Sequence, residues 1–195
     1  MATTRIVLPV ALGSYVNIFT PRPPPEGQSG EPKYSISLLF DKADKKELEP
    51  LQKLIEHVAT EKFGPTAKEL LAKGKLRNPI RDGDEDRPED EVYAGKLFVG
   101  ASTTRQPGIV DAKLQPVFEE SEAYSGCFFR CSVAVFAYDK AGNKGVSLGL
   151  NNIQVVKKGT RIDGRVAAEK EFAEFGDAAP KKKAAAGAVD LSDID

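Results

Sequence analysis

Two alternating sets of positions with different chemistry mark the segment CFFRCSVAVFAYDK, residues 127–140. Its odd positions, from Cys127 to Ala137, are all apolar, whereas its even positions mix aromatic rings, cations and small side chains. A period of two is the signature of a β-strand with one face in the core. The pattern therefore predicts a strand whose odd positions are buried and whose even positions form a second, chemically distinct face.

Other segments also have the composition of strands. Residues 5–21 are apolar and β-branched, with Gly13 suggesting a bend or bulge at that point. The same period of two indicates a half-buried strand in residues 33–41, and residues 96–103 form a further candidate. The glycines around Asn143 predict a tight turn that pairs the strand of residues 127–140 with the one that follows it.

The last predicted strand changes its parity along its length. Val146, Leu148 and Leu150 share one parity, and Ile153 and Val155 share the other. A β-bulge near Asn151-Asn152 would return both sets to the same face. We therefore expect one continuous strand with a bulge at its centre.

A helix separates the early strands from the late ones. Apolar residues recur every three or four positions from Leu48 to Val58, and Gly64-Pro65 ends the run. Asp44 and Glu47 have the spacing of a capping box, although Pro50 inside the run favours a later start. A second short helix is expected in TAKELLAKG, residues 66–74, and a third in AAEKEFAEFG, residues 167–176. The order of elements predicts a mainly β fold with minor α: a five-stranded OB-type Greek-key barrel with an inserted helix.

Composition and charge suit one globular domain with a tail. The 195 residues carry a net charge of -1, and we expect a folded domain over residues 1–176 followed by a flexible linker and acidic tail over residues 177–195. Seven carboxylates lie in DGDEDRPEDE, residues 82–91, and without that run the first 176 residues have 24 basic and 18 acidic side chains. This surplus permits a polyanionic partner.

The even face of residues 127–140 has the chemistry that single-stranded nucleic acid requires. Rings stack on bases, cations meet phosphates, and small side chains leave room between them. The alternative is that a helix or second sheet covers this face. The candidate DNA-binding residues on it are Phe128, Arg130, Phe136 and Tyr138. Weaker candidates elsewhere are Lys33, Lys96, Phe98, Tyr15, Lys157 and Lys158, each of which could instead be a solvated charge or a core ring.

No catalytic or metal site is expected, and no cofactor is implied. Asp82, Asp84 and Asp86 match the opening of an EF-hand loop, but Arg87 replaces its obligatory glycine. The acidic run is therefore interpreted as a solvated, mobile loop, with a metal-dependent nuclease as the alternative function. The single histidine, His57, has no apparent catalytic partner, and Cys127 and Cys131 are expected to be reduced, buried thiols.

No apolar run is long enough to span a membrane and no export signal is apparent, so a cytoplasmic location is expected, in the bacterial host if the chain is phage-encoded.

The stretch GCFFRCSVAVFAYDKAGNKGVSLGLNNIQVVKKG, with RNPIRDGD before it and RIDGR and AEKEFAEF after it, resembles the single-stranded DNA-binding proteins of tailed bacteriophages. The resemblance covers most of residues 1–176. It implies an OB fold that coats and protects single-stranded DNA in phage replication, recombination and repair, with no sequence preference and no enzymatic activity. Weaker binding to duplex DNA or RNA remains open, and a phage assembly protein is a further alternative.

The resemblance also suggests a function for the last residues of the chain. Many bacterial and phage single-strand binders combine a DNA-binding body, a flexible tether and an acidic tip. Here the tip contains Asp190, Asp193, Ile194 and Asp195. It is expected to compete with DNA for the basic surface or to recruit replication or recombination proteins. A merely solubilising tail is the alternative.

Overall fold

The computed structural model describes residues 4–24, 26–27, 30–140 and 142–162. The expected third helix and the acidic tail lie outside these residues. The strands are β1 Arg5–Val7, β2 Ala11–Arg22, β3 Lys33–Asp41, β4 Ile80–Asp82, β5 Lys96–Thr103, β6 Gly108–Val110, β7 Phe128–Lys140 and β8 Asn143–Lys157. The helices are α1 Glu49–Phe63, α2 Ala67–Ala72 and α3 Gly83–Asp86, with 3-10 segments at Lys42–Leu48 and Glu91–Tyr93.

Five of the strands pair in a closed ring. β2 pairs with β3, β3 with β5, β5 with β8, β8 with β7, and β7 returns to β2. Only the β5–β8 contact in this ring is parallel. This is the order of an OB-type Greek-key barrel, with the helices inserted between its second and third strands. The predicted mainly β barrel is confirmed, and β1 continues the pairing of the first barrel strand along β7.

The predicted core faces of the two longest strands are confirmed. Cys127, Phe129, Cys131, Val133 and Val135 are fully buried. In β8 the even-numbered apolar residues before position 151 and the odd-numbered ones after it all point into the core. The register shows why: Ser132 pairs with Asn152 and Val133 with Leu150, so Asn151 has no partner on β7. Asn151 is thus the extra residue of a bulge, as the change of parity predicted. The inward residues of β8 are Val146, Leu148, Leu150, Ile153 and Val155.

The helical segment differs from prediction only at its start. α1 begins at Glu49 and carries Pro50 in its first turn, where a missing N–H costs nothing. Asp44 and Glu47 do not form a capping box, because residues 42–48 already coil into a 3-10 segment that leads directly into α1. His57 lies on the exposed side of α1 with Glu61 at 3.6 Å. The predicted second helix is confirmed as α2.

The irregularity of β2 lies two residues beyond the glycine that suggested it. Gly13 pairs regularly with Leu38, and the register shifts between Ser14 and Asn17. Position 13 must be glycine for another reason: a Cβ there would overlap the buried ring of Phe129. The close approach of two barrel strands, rather than a bend, explains this residue.

The acidic segment is folded, so the prediction of a mobile loop is wrong, although most of its carboxylates are exposed to solvent as predicted. It contains the end of β4, helix α3 and a 3-10 turn. Lys42 bridges Asp82 and Asp84 at 2.6 and 2.7 Å, and the Gly95 N–H donates to Asp84 at 2.8 Å. These contacts come from residues 42 and 95, which are distant in sequence, so the run of carboxylates alone could not reveal them.

These contacts predict a pH effect on stability. Hydrogen bonds from Lys42 and then from the Gly95 N–H lower the pKa of Asp84 below its ordinary 3.8. A carboxylate with a lowered folded-state pKa stabilises the fold above its unfolded pKa, and the contribution is lost as pH falls through the folded value. Asp84→Asn should therefore lower the melting temperature near pH 7. Below about pH 4, the melting temperature of the variant should fall less with decreasing pH than that of the parent. Thermal melts from pH 7 to pH 3 would measure this, and parallel curves for variant and parent would contradict it.

Both cysteines are free and buried, as predicted. Burial raises the pKa of the Cys131 thiol to about 12, so this thiol stays neutral and unreactive. Within the described residues, no helix is both long and apolar enough to cross a membrane.

Candidate nucleic-acid interface

The even positions of β7 point away from the barrel core. Arg130 and Phe136 are exposed, and Phe128, Ser132, Ala134 and Tyr138 are partly exposed. Phe136 keeps 47% of its surface accessible, so its ring is available for contact with a ligand. None of these six outward side chains is buried. The alternative of a covered face is therefore not supported.

Small residues surround the Phe136 ring on the outer surface of the barrel. Phe136 pairs with Ser147, and its Cε1 lies 3.6 Å from where a Cβ at Gly149 would stand. The strand registers place four small residues side by side across β3, β5, β8 and β7: Ser35, Ser102, Gly149 and Ala134. This row, which we call the small-residue floor, leaves space beside the ring for a planar group. Sequence analysis identified the ring but not the floor, because its members come from four separate strands.

The candidate residues of β7 and its surroundings are spread along the hairpin. Phe128 pairs with Lys157 at one end, and Tyr138 pairs with Gly145 near the other. Eight residues separate Phe128 from Phe136, which is about 26 Å along a strand. Lys157 and Lys158 are exposed beside Phe128. The face is thus an extended track with rings near both ends and Arg130 between them.

The two candidate lysines of β3 and β5 differ in their surroundings. Lys33 is exposed and pairs across the strands with Arg22, so two cations lie together there. Lys96 lies at the opposite end of β3 and forms a 2.6 Å ion pair with Asp41. Its charge is already matched, so Lys96 is a weaker candidate for a phosphate contact than the sequence suggested.

Phe98 is not available for stacking, which corrects its prediction as a surface ring. It is 3% exposed and packs edge-on against Tyr93 at 5.0 Å between ring centres. The 3-10 turn of the acidic segment brings Tyr93 over the outer face of β5, where both rings join Leu39 in a small satellite core. That coverage depends on the folding of the acidic segment, which the sequence did not reveal.

Tyr15 occupies an unusual backbone conformation at the bulge of β2. Its φ is +47°, a region that costs a non-glycine residue about 1 to 3 kcal/mol. The guanidinium of Arg87 lies 4.6 Å from the centre of the Tyr15 ring, and the Tyr15 hydroxyl donates to Asp90 at 3.3 Å. The ring still remains 45% exposed. The predicted site residue is therefore accessible and held from two sides by the acidic segment.

A cleft of about 800 Å³ opens beside Tyr15. One wall is the second half of β2, from Ser14 to Arg22, and another is the loop of residues 120–125. Tyr124 lies in that loop; its hydroxyl donates to the Gly159 carbonyl at 2.9 Å, and the Arg161 guanidinium stacks on its ring at 4.1 Å. Tyr124 and the cleft could not be predicted from the sequence pattern, because a loop without periodicity carries no signal of its partners.

Three of the seven carboxylates of the acidic segment form ion pairs with the chain's own cations. Lys42 holds Asp82 and Asp84, and Arg81 contacts Asp86 at 2.7 Å. A two-metal nuclease instead requires carboxylates that converge on a common point. In the described part of the chain, no group of three or more His, Cys, Asp or Glu side chains is arranged to hold a metal ion. The nuclease alternative thus finds no support in this segment.

The chain has relatives among phage proteins. The profile of the family described as "Enterobacter phage Enc34, ssDNA-binding protein" matches residues 4–183. Protein p50 of Acyrthosiphon pisum secondary endosymbiont phage 1 is 33% identical over 146 residues, covering 72% of this chain and 78% of p50.

Solved structures show the same fold at lower identity. The single-stranded DNA-binding protein of bacteriophage Enc34, solved in complex with single-stranded DNA, superposes with a TM-score of 0.68 at 21% identity, over 82% of this chain and 89% of that one. The single-stranded DNA-binding protein gp2.5 of bacteriophage T7 superposes with a TM-score of 0.56 at 16% identity, over 92% and 100% of the two chains.

Proposed function

The chain belongs to the phage single-stranded DNA-binding protein family represented by the Enc34 protein, and from this premise we propose that it coats single-stranded DNA without sequence preference and without catalysis. The observation that carries the proposal is the exposed Phe136 ring beside the small-residue floor. A ring of this kind can stack on any base, because every base has a π-face. The role we propose is protection of single strands in phage replication, recombination and repair.

Cations along the same hairpin complete the proposed interface. Arg130 lies between the rings, and Lys157 and Lys158 lie at the end marked by Phe128. These side chains would meet phosphates, which do not carry sequence information. Lys33 with Arg22 would extend the contact onto β3. Stacking and charge together give affinity without base-edge reading, which matches a coating protein.

Single strands should bind better than duplexes to this surface. In a duplex the base faces are stacked on one another, so the rings of Phe136 and Tyr138 would have no free partner. Duplex DNA offers only phosphates to the cations, and a contact of that kind is weaker and highly salt-dependent. We propose that duplex DNA and RNA bind more weakly than single-stranded DNA.

The experiment that tests this function is fluorescence anisotropy of a labelled thirty-base oligo-dT, repeated with the matching duplex and over a range of salt concentrations. Tight binding that weakens steeply with salt and exceeds duplex binding is the expected result. Absence of binding at low salt would overturn the proposal and favour an assembly role. A parallel incubation with Mg²⁺, using Asp82→Asn as the control, would detect the nuclease activity that the proposal denies.

The acidic tip is proposed to regulate this interface. We propose a DNA-binding domain over residues 1–176 and a tether over residues 177–195 that would span about 25 Å as a flexible coil. Such a tether gives Asp190, Asp193 and Asp195 a high effective concentration near the basic surface. Ile194 would add an apolar contact for a replication or recombination partner.

Deleting residues 190–195 should therefore tighten binding of oligo-dT, and the gain should be largest at low salt, where charges are least screened. Anisotropy titrations at 20 mM and 200 mM salt would measure it. A variant of full length with Asp190, Asp193 and Asp195 changed to Asn is the matched control and should behave like the deletion. Equal affinities for all three proteins would rule out electrostatic competition and leave partner docking or solubility.

A further inference from the structure

The cleft beside β2 is separate from the hairpin that carries Phe136. Its walls come from β2, from the loop of residues 120–125, and from the chain around Asp90 and Arg161. Its volume of about 800 Å³ falls in the range of roughly 300 to 1,000 Å³ typical of sites for small organic ligands. A duplex is far too wide for it, whereas a nucleotide base and its sugar are within its size.

We propose that this cleft is a second subsite for single-stranded nucleic acid, in which one unstacked base lies against Tyr15. The inference rests on the proposed function and deepens it, because it adds a base contact outside the hairpin. Tyr15 and Tyr124 both line the cleft, and each ring carries a stacked guanidinium, from Arg87 and Arg161 respectively. Aromatic rings with arginines are the combination that holds bases in single-strand binders.

The conformation of Tyr15 supports a binding role for its side chain. Bulges often re-aim a side chain beside a functional site, and a positive φ on a non-glycine residue persists only where its surroundings impose it. Here the bulge between Ser14 and Asn17 turns Tyr15 to line the cleft. A ring needed only for packing would be buried, whereas Tyr15 is 45% exposed.

Arg87 acts as a positioning residue for this ring. Its guanidinium lies 4.6 Å from the Tyr15 ring centre and 4.9 Å from that of Tyr93, so it is enclosed by rings on two sides. It does not line the cleft itself. Arg87 therefore holds one face of Tyr15 and leaves its exposed part for a base.

Charge determines which part of a nucleotide enters. Asp90 and Glu120 line the cleft together with Arg22 and Arg161, so the lining carries no net positive charge to draw a phosphate inside, and Arg161 already stacks on Tyr124. Arg22, at the end of β2, is an exposed cation on its wall. The base is therefore expected inside, against Tyr15, with the phosphate outside toward Arg22. Affinity gained here should depend on the base and only weakly on salt.

The test compares two labelled thirty-unit ligands, oligo-dT and an abasic sugar-phosphate oligomer of the same length. Tyr15→Ala should weaken oligo-dT binding by about 5- to 150-fold, the range for one stacked base, and leave abasic binding unchanged. Tyr15→Phe keeps the ring and should retain most of the affinity. Phe118→Ala removes an 82% exposed ring outside both surfaces and should change neither ligand. Tyr15→Gly, which relieves the positive φ, covers the case in which Tyr15→Ala folds poorly.

Arg87→Gln separates a positioning role from a phosphate contact. Loss of a phosphate contact lowers the slope of log affinity against log salt by about 0.7 for a single strand. A positioning role predicts weaker oligo-dT binding with that slope unchanged, so a reduced slope would overturn it.

The outcomes also separate this inference from the proposed function. If Tyr15→Ala and Tyr15→Gly both bind oligo-dT like the parent while Phe136→Ala binds weakly, the subsite is wrong and the function stands. If the parent itself binds oligo-dT no better than the abasic oligomer, base stacking fails at both places and the proposed function fails with it.

Discussion

Phe136→Ala is expected to weaken the binding of a thirty-base oligo-dT by about 5- to 150-fold, the range that corresponds to about 1 to 3 kcal/mol for one stacked base. The ring is 47% exposed and rests beside Gly149 rather than in the core. Its removal therefore leaves no cavity, and the free energy of unfolding should change by less than about 0.5 kcal/mol. Anisotropy and urea unfolding on the same preparation would measure both quantities.

Tyr138→Ala should show the same separation of binding from stability. Tyr138 lies two residues along the same face, opposite Gly145. If both rings hold the same base, the double variant is expected to lose less than the sum of the single losses, because the two contacts are coupled. A full sum would indicate two independent stacking positions.

The matched control for this prediction is Phe118→Ala, which removes another exposed ring that belongs neither to the small-residue floor nor to the lining of the cleft. It should bind oligo-dT like the parent. A large loss of stability in Phe136→Ala would instead place that ring in the core. Unchanged oligo-dT binding in both Phe136→Ala and Tyr138→Ala would move the interface away from the hairpin and onto other surfaces.

Local periodicity was sufficient for the strands of the barrel. The alternation in β7 identified Phe129 as a core residue and Phe136 as an outward one, and the change of parity in β8 located the bulge at Asn151. These inferences succeed because a strand's two faces follow directly from the pleat. No distant residue is needed to decide them.

Contacts between distant segments decided the features that the sequence did not reveal. The Tyr15 hydroxyl reaches Asp90, 75 residues away, and Lys42 reaches Asp84, 42 residues away. Docking of the acidic segment buries Phe98 and leaves Tyr15 exposed, although both rings were equivalent candidates in the sequence. Charge density alone predicted a mobile loop, because it does not show which cations the fold brings to the carboxylates.

Gly13→Ala should be among the most destabilising small substitutions in the chain. A Cβ at this position would overlap Cε2 and Cδ2 of Phe129. The backbone cannot retreat, because the Gly13 N–H donates to the Cys127 carbonyl and the Gly126 N–H donates to the Gly13 carbonyl, both at 2.8 Å. The buried ring would have to leave its rotamer, so we expect a loss of about 1 to 3 kcal/mol in the free energy of unfolding, measured in urea.

Phe129→Ala should cost more, about 3 to 5 kcal/mol, since the ring is fully buried in the barrel. The double variant provides the sharper test. Once the ring is absent, the alanine methyl at position 13 fills part of its space instead of colliding with it. The double variant should therefore unfold with a loss smaller than the sum of the single losses by about 1 kcal/mol or more.

Additive losses would mean that Gly13 is required by the backbone and not by the ring. Interlocking of the two residues also has a consequence for binding. β2 passes from its contact with β7 to its bulge within a few residues of Gly13, and Tyr15 lies in that bulge. Gly13→Ala should thus weaken oligo-dT binding through Tyr15 even where the protein remains folded. Phe129→Leu keeps an apolar side chain beneath Gly13, so it should affect oligo-dT binding less.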